Sequence, residues 1–168
     1  MTESASPRAV EAIGLLARAG LTVALAESLT GGALCAELVS IPGASAVLRG
    51  AVVAYDTALK SSLLGVPAEL LAEHGPVHAE VAGLMAEGVR AAAAVGGHPA
   101  AVGVATTGVA GPDPQGDAPV GLVFVAVADA RGSAVREFCF DGDRAAVRSA
   151  AVAAALELLI DRLRECSG

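Results

Sequence analysis

Tryptophan is absent from these 168 residues, and with one tyrosine and three phenylalanines the aromatics amount to 2%. The core must therefore be built from alanine, valine and leucine, whose short side chains let helices and strands approach closely. Positive charge is also scarce: eleven Lys and Arg face eighteen Asp and Glu, for a net charge of −7. That balance excludes a broad basic face for nucleic acid, though not a small local cluster of arginines. Three scattered cysteines, Cys35, Cys139 and Cys166, fit neither a disulfide framework nor a CxxC metal pattern, which points to a reducing cytoplasm. Long apolar runs are missing. The longest, near 150–160, is too short to span a bilayer, and MTESASPRAVEAIG at the amino terminus has acids where a signal peptide needs an apolar run. A cytoplasmic protein without membrane contact is expected.

The scarcest residue is lysine. Lys60 is the only one, five positions after the only tyrosine, Tyr55. Arginine stays charged at any working pH, whereas a lysine amine can give up its proton when burial or a neighbouring cation lowers its pKa. A site needing a proton acceptor would explain why this position is not arginine. An arginine-rich coding bias that spared one surface lysine explains it too.

What is present fits one domain, 1–168. Hydrophobic residues make up 54% and charged ones 17%, a globular composition, in a chain long enough to bury roughly two-thirds of its unfolded surface. Ser6-Pro7 opens an amphipathic helix that ends at Gly20. LTVALA (21–26) reads as a buried strand, ESLTGG as a turn and 32–41 as a helix. A second strand is expected at 51–56, short helices at 59–65 and 67–75, and a long one at 78–96. The third strand is 100–106. Strands at 121–129 and 134–140 are spaced as a hairpin, and Asp143 can cap a final helix. This order predicts a three-layer α/β/α sandwich with a mixed sheet.

Four stretches could carry chemistry. AESLTGG puts Ser28 at the carboxyl end of a strand, where open α/β sheets bind ligands, with Gly31 and Gly32 permitting close backbone approach and the next helix offering free amides. Ser28 or Thr30 could equally be a simple helix cap, and Glu27 could orient the site or bond to nearby backbone. Tyr55 and Lys60 follow the second strand and could share that crevice, or Tyr55 could be half-buried with a wet hydroxyl. Residues 106–121, TTGVAGPDPQGDAPVG, form a long glycine- and proline-rich loop after the third strand, suited to wrapping a small ligand or to an ordered turn. It matches neither the P-loop nor the dinucleotide fingerprint. GDRAAVR sets Arg144 and Arg148 on one helix face, for an anion or for nearby acids such as Asp141 and Asp143. His74, His78 and His98 lack ligand spacing, and no metal site is visible.

AESLTGG, PGAS (42–45), YDTALK, TGVAGP, PVG (119–121) and GDRAAVR stand in one order. Over residues 8–163 this resembles the C-terminal domain family of the competence/damage-inducible protein CinA, which includes stand-alone bacterial nicotinamide-nucleotide amidases. The resemblance implies hydrolysis of nicotinamide mononucleotide to nicotinate mononucleotide and ammonia, without metal or organic cofactor. It makes Ser28 the nucleophile and Lys60 the base, with Tyr55 assisting. It places Thr30, Gly31 and Gly32 in the glycine turn, with oxyanion donors near Gly31 and Gly32. Thr107, Gly108, Gly111 and Arg144 then line the nucleotide pocket. Departures are Leu29 for a usual cysteine, His78 for a common serine and Ala118 for a common lysine; the last two bear on substrate affinity. The 168 residues hold no counterpart of the molybdopterin-binding-like domain often fused to such proteins. The implied partner is a small nucleotide, and the apolar content suits a homo-oligomer. The other reading, a nucleotide-binding module without catalysis, needs no unprotonated amine.

Overall fold

A computed structural model describes residues 6–165; Cys166 lies outside them. The chain runs α1 (Pro7–Ala19), β1 (Val23–Glu27), α2 (Ala33–Val39), a short 3-10 turn, β2 (Leu48–Val53), α3 (Thr57–Ser62) and α4 (Ala68–His74). It continues with α5 (Ala79–Ala92), β3 (Val102–Gly108), β4 (Leu122–Asp129), β5 (Gly132–Cys139) and α6 (Arg144–Glu165). The sheet order is β2-β1-β3-β4-β5. β1 pairs in parallel with both β2 and β3, while β3–β4 and β4–β5 are antiparallel. The expected three-layer sandwich with a mixed sheet is what forms.

Alternation along the central strands separates two cores. Val23 and Leu25 of β1, Val102 and Val104 of β3 and Val123, Val125 and Val127 of β4 pack against α1, α2 and α6. The opposite face presents Ala24, Ala26, Ala105 and Ala126 to α5 and the segment around Leu64 and Val66. The valine face is thick and the alanine face thin, so α5 sits close to the sheet. A Cβ added at Gly103 would lie 1.9 Å from the Ala86 carbonyl oxygen of α5. That approach exists only because the residue is glycine, which shows how the core does without aromatics.

Boundaries differ from the sequence reading at three places. β2 spans 48–53 rather than 51–56, so Tyr55 lies two residues beyond its end. β3 is shifted to 102–108. α5 stops at Ala92, and 93–99 forms a turn closed by a Val95–His98 bridge. At β2 and α5 an alanine- or valine-rich run continues past the end of the element, and at β3 pairing runs on beyond the apolar run into Thr107 and Gly108; periodicity alone registers neither.

Candidate active site

β1, β2 and β3 all point the same way, so their carboxyl ends share one edge of the sheet. The chain leaves β1 toward β2 and later crosses back to β3 on the other side, leaving a crevice above β1. Ser28 enters this crevice. Its amide makes a last bond to Thr106 O (3.0 Å), and a tight turn then closes from Gly31 N to Ser28 O (3.1 Å). Gly31 and Gly32 follow with φ of 61° and 96°, left-handed values that a side chain would strain.

The cap of α2 comes from an unexpected residue. Gly32 occupies the cap position and has no side chain to offer. The carboxylate of Glu27, fully buried, reaches over the turn and accepts from Gly32 N (2.9 Å), Leu34 N (3.1 Å) and Cys35 N (2.8 Å). Ser28 is thereby released from capping, and Thr30 is spent elsewhere, its hydroxyl 2.8 Å from that of Thr106.

The hydroxyl of Ser28 meets Lys60. Lys60 Nζ lies 3.0 Å from Ser28 Oγ and donates to the Ala54 carbonyl at 2.8 Å. The lysine is carried by α3, whose start is fixed by Asp56 accepting from Ala58 N at 2.8 Å. Only 1% of Lys60 is exposed, against 8% of Ser28. Burial pushes the amine down from an ordinary 10.5 to about 8, with the Asp56 charge opposing as a smaller effect. A neutral amine here can accept the serine proton while still donating to Ala54 O. The Ser28–Lys60 contact has the separation that general-base activation of a hydroxyl requires.

A cleft of roughly 240 Å³ opens beside this pair. Of the residues singled out from sequence, Ser28, Tyr55, Lys60, Thr107, Gly108, Gly111 and Arg144 line it; Thr30, Gly31 and Gly32 do not. The Thr107 hydroxyl donates to Pro76 O (2.7 Å), so it supports the wall rather than facing a ligand. Tyr55, 59% exposed, sits at the rim and accepts from Arg144 Nη2 at 2.8 Å; Arg144 Nη1 donates to Gly111 O at 2.7 Å. Arg148 donates to Leu29 O (2.9 Å) and Thr30 O (2.8 Å). Among the described residues neither guanidinium has an acidic partner, and Asp143 instead accepts from Ala146 N. Arg144 thus places a cation at the rim of a cleft whose wall also carries Asp113.

Two expectations change. The amides of Gly31 and Gly32 are already committed, to Ser28 O and to Glu27. Those of Leu29 and Thr30, by contrast, have no acceptor among the described residues. Arg148, read with Arg144 as holding either an anion or nearby acids, grips the serine turn instead. Sequence reasoning also passed over Asp113 and Gln115, which line the cleft. Their only signal was membership of the long loop. His78 caps α5, its Nδ1 accepting from Glu80 N at 3.3 Å, and stacks on His74. No cluster able to hold a metal, and no helix long and apolar enough to cross a membrane, occurs among the described residues.

Comparison with known proteins agrees with this architecture. A CinA-like protein of Frankia casuarinae is 46% identical over 147 residues, covering 88% of this chain and 33% of the relative. One from Anaeromyxobacter dehalogenans is 49% identical over 153 residues, covering 90% and 36%. The chain thus spans about a third of the length of the curated relatives it matches. Among solved structures, a CinA superfamily protein from Klebsiella pneumoniae superposes with a TM-score of 0.90 at 29% identity, covering 97% of this chain and 99% of that one. The competence/damage inducible protein CihA from Agrobacterium tumefaciens gives 0.86 at 35%, covering 98% and 99%. The sequence model of the CinA C-terminal domain matches residues 6–163, and the chain belongs to that family.

Proposed function

We propose that this domain is a serine amidohydrolase that converts nicotinamide mononucleotide to nicotinate mononucleotide and ammonia through an acyl-enzyme. The observation that carries the reading is the buried Ser28–Lys60 contact of 3.0 Å with an amine pushed down to about 8. A lysine whose amine loses its proton near pH 8 against a serine hydroxyl has little structural purpose, because burying an amine is costly, but it suits a general base working near that pH.

The steps follow from that pair. Neutral Lys60 accepts the Ser28 proton as Oγ attacks the carboxamide carbon, and the carbonyl oxygen takes the negative charge. The amide of Leu29, a residue that lines the cleft and whose N–H has no acceptor among the described residues, is the backbone donor available to that oxyanion, in place of Gly31 and Gly32; such a donor is typically worth about 3–4 kcal/mol. The Lys60 ammonium then protonates the departing nitrogen, which leaves as ammonia, and an ester to Ser28 remains. Water, giving its proton to the same amine, cleaves the ester to the carboxylate and restores the serine. Arg144, at the cleft rim without an acidic partner, supports a phosphate there. That cation favours a phosphorylated amide over a neutral one.

Product analysis tests the reading. Purified protein incubated with nicotinamide mononucleotide should yield equal amounts of ammonia and nicotinate mononucleotide, and Ser28→Ala should yield neither. Saturable binding with no product would make the domain a nucleotide-binding module. Ammonia from other small amides but not from this one would retain the chemistry and change the substrate.

A further inference from the structure

The nucleophile sits on a turn with little conformational restraint of its own. Its turn runs directly into two consecutive left-handed glycines, which resist displacement less than any other dipeptide. Yet a serine must hold its oxygen to within a fraction of an ångström of a base for the contact to be productive. Something outside the turn must fix it.

Two side chains do so from opposite sides. Glu27 captures the amides that follow the turn, at Gly32, Leu34 and Cys35. Arg148, reaching from the second turn of α6, captures the carbonyls within it, at Leu29 and Thr30. Neither residue lines the cleft. We propose that Glu27 and Arg148 are positioning residues, an anion and a cation that clamp the Ser28 turn between them and set the aim of Ser28 Oγ. This rests on Ser28 acting as the nucleophile.

The clamp also gives Arg148 and Glu27 roles that the conservative replacement cannot fill. A carboxamide at 27 offers one acceptor oxygen and turns an NH₂ group toward the remaining amides. A lysine at 148 replaces a planar two-pronged donor by a compact ammonium that cannot match both carbonyls in the same way.

The test compares the parent chain with Glu27→Gln, Arg148→Lys and Arg148→Ala. Three readouts are taken on each folded protein: ammonia release from nicotinamide mononucleotide, labelling of Ser28 by a fluorophosphonate, and thermal unfolding. We expect kcat to fall by on the order of a hundredfold with KM within about threefold, the labelling rate to fall in parallel, and guanidinium ion to restore part of the activity of Arg148→Ala. A purely structural role would lower the unfolding temperature while the folded fraction labelled and turned over as the parent does; that result overturns the proposal. If one substitution prevents folding, the residue on the other side of the turn decides. A parent that labels at Ser28 but releases no ammonia sinks the amidase reading and leaves the labelling rates to judge the clamp. A parent that does neither sinks both.

Discussion

Replacing Lys60 by methionine should make the protein more stable at neutral pH, and the gain should shrink as pH rises. The sign follows from linkage. In the folded state the amine sits at about 8, below the 10.5 of an exposed lysine. Below pH 8 the native state must carry a charge that its surroundings disfavour, and that penalty fades as pH rises from 8 toward 10.5. From these two values it is about 3 kcal/mol at pH 7 and about 1 kcal/mol at pH 9.5. Methionine has a similar unbranched shape and no charge, so the penalty disappears. Against this, the Ala54 carbonyl loses its donor, at roughly 1–2 kcal/mol. The net expectation is a stabilisation of about 1–2 kcal/mol at pH 7, or roughly 2–8 °C for a domain of this size. The cost of the lost carbonyl partner is the same at both pH values and cancels in the difference. Urea unfolding of parent and Lys60→Met at pH 7 and 9.5 should therefore show the stability gap narrowing by about 2 kcal/mol. A gap that does not change with pH would refute the claim that burial shifts this amine, and with it the reason for calling Lys60 a base.

Three further outcomes follow. Turnover should rise about tenfold per pH unit below pH 8 and level off above it, because only the neutral amine can accept the serine proton; a stopped-pH ammonia assay would show it, and a flat profile from pH 6 to 9 would contradict it. Arg144→Ala should raise KM for nicotinamide mononucleotide by about tenfold or more, with a smaller effect on the unphosphorylated nucleoside, since a charge-assisted contact is worth about 1.5–3 kcal/mol; equal effects on both substrates would remove the phosphate from Arg144. Gly88→Ala should lower the unfolding temperature by at least several degrees despite the better helix propensity of alanine: its Cβ would sit 1.8 Å from the backbone oxygen of Leu64, and overpacking of that kind costs about 1–3 kcal/mol. A neutral or stabilised variant would mean that α5 is free to move.

Much of the fold was legible because it rests on burial. The continuous apolar run of β1 announced a buried strand, and the lack of aromatics called for a core of small side chains that lets elements approach closely, as the alanine face under α5 does. Strand ends were less legible. Val53 and Ala54 look alike in sequence, yet the ladder stops between them. In the site, Ser28 and Lys60 were visible as a strand-end serine and a solitary lysine, and the fold brings them into contact. Hydrogen-bond assignment was not visible. Which of Glu27, Ser28 or Thr30 caps α2 depends on where Gly32 places its amide, and the answer was the buried acid. Arg148 was read with Arg144 because they share a helix face, but it points across to β1's turn, a contact 119 residues apart in sequence. Asp113 and Gln115 reach the cleft through a loop path that no periodicity encodes.

The most direct test of the central claim is ammonia release from nicotinamide mononucleotide at pH 8 by the parent, Ser28→Ala and Lys60→Arg, measured together with nucleotide binding to each. Activity in the parent that disappears in both variants, while the nucleotide still binds, is the predicted result: arginine keeps a cation in place but cannot take the serine proton. Turnover that survives in Lys60→Arg would contradict the account, because the one lysine would then not be the base.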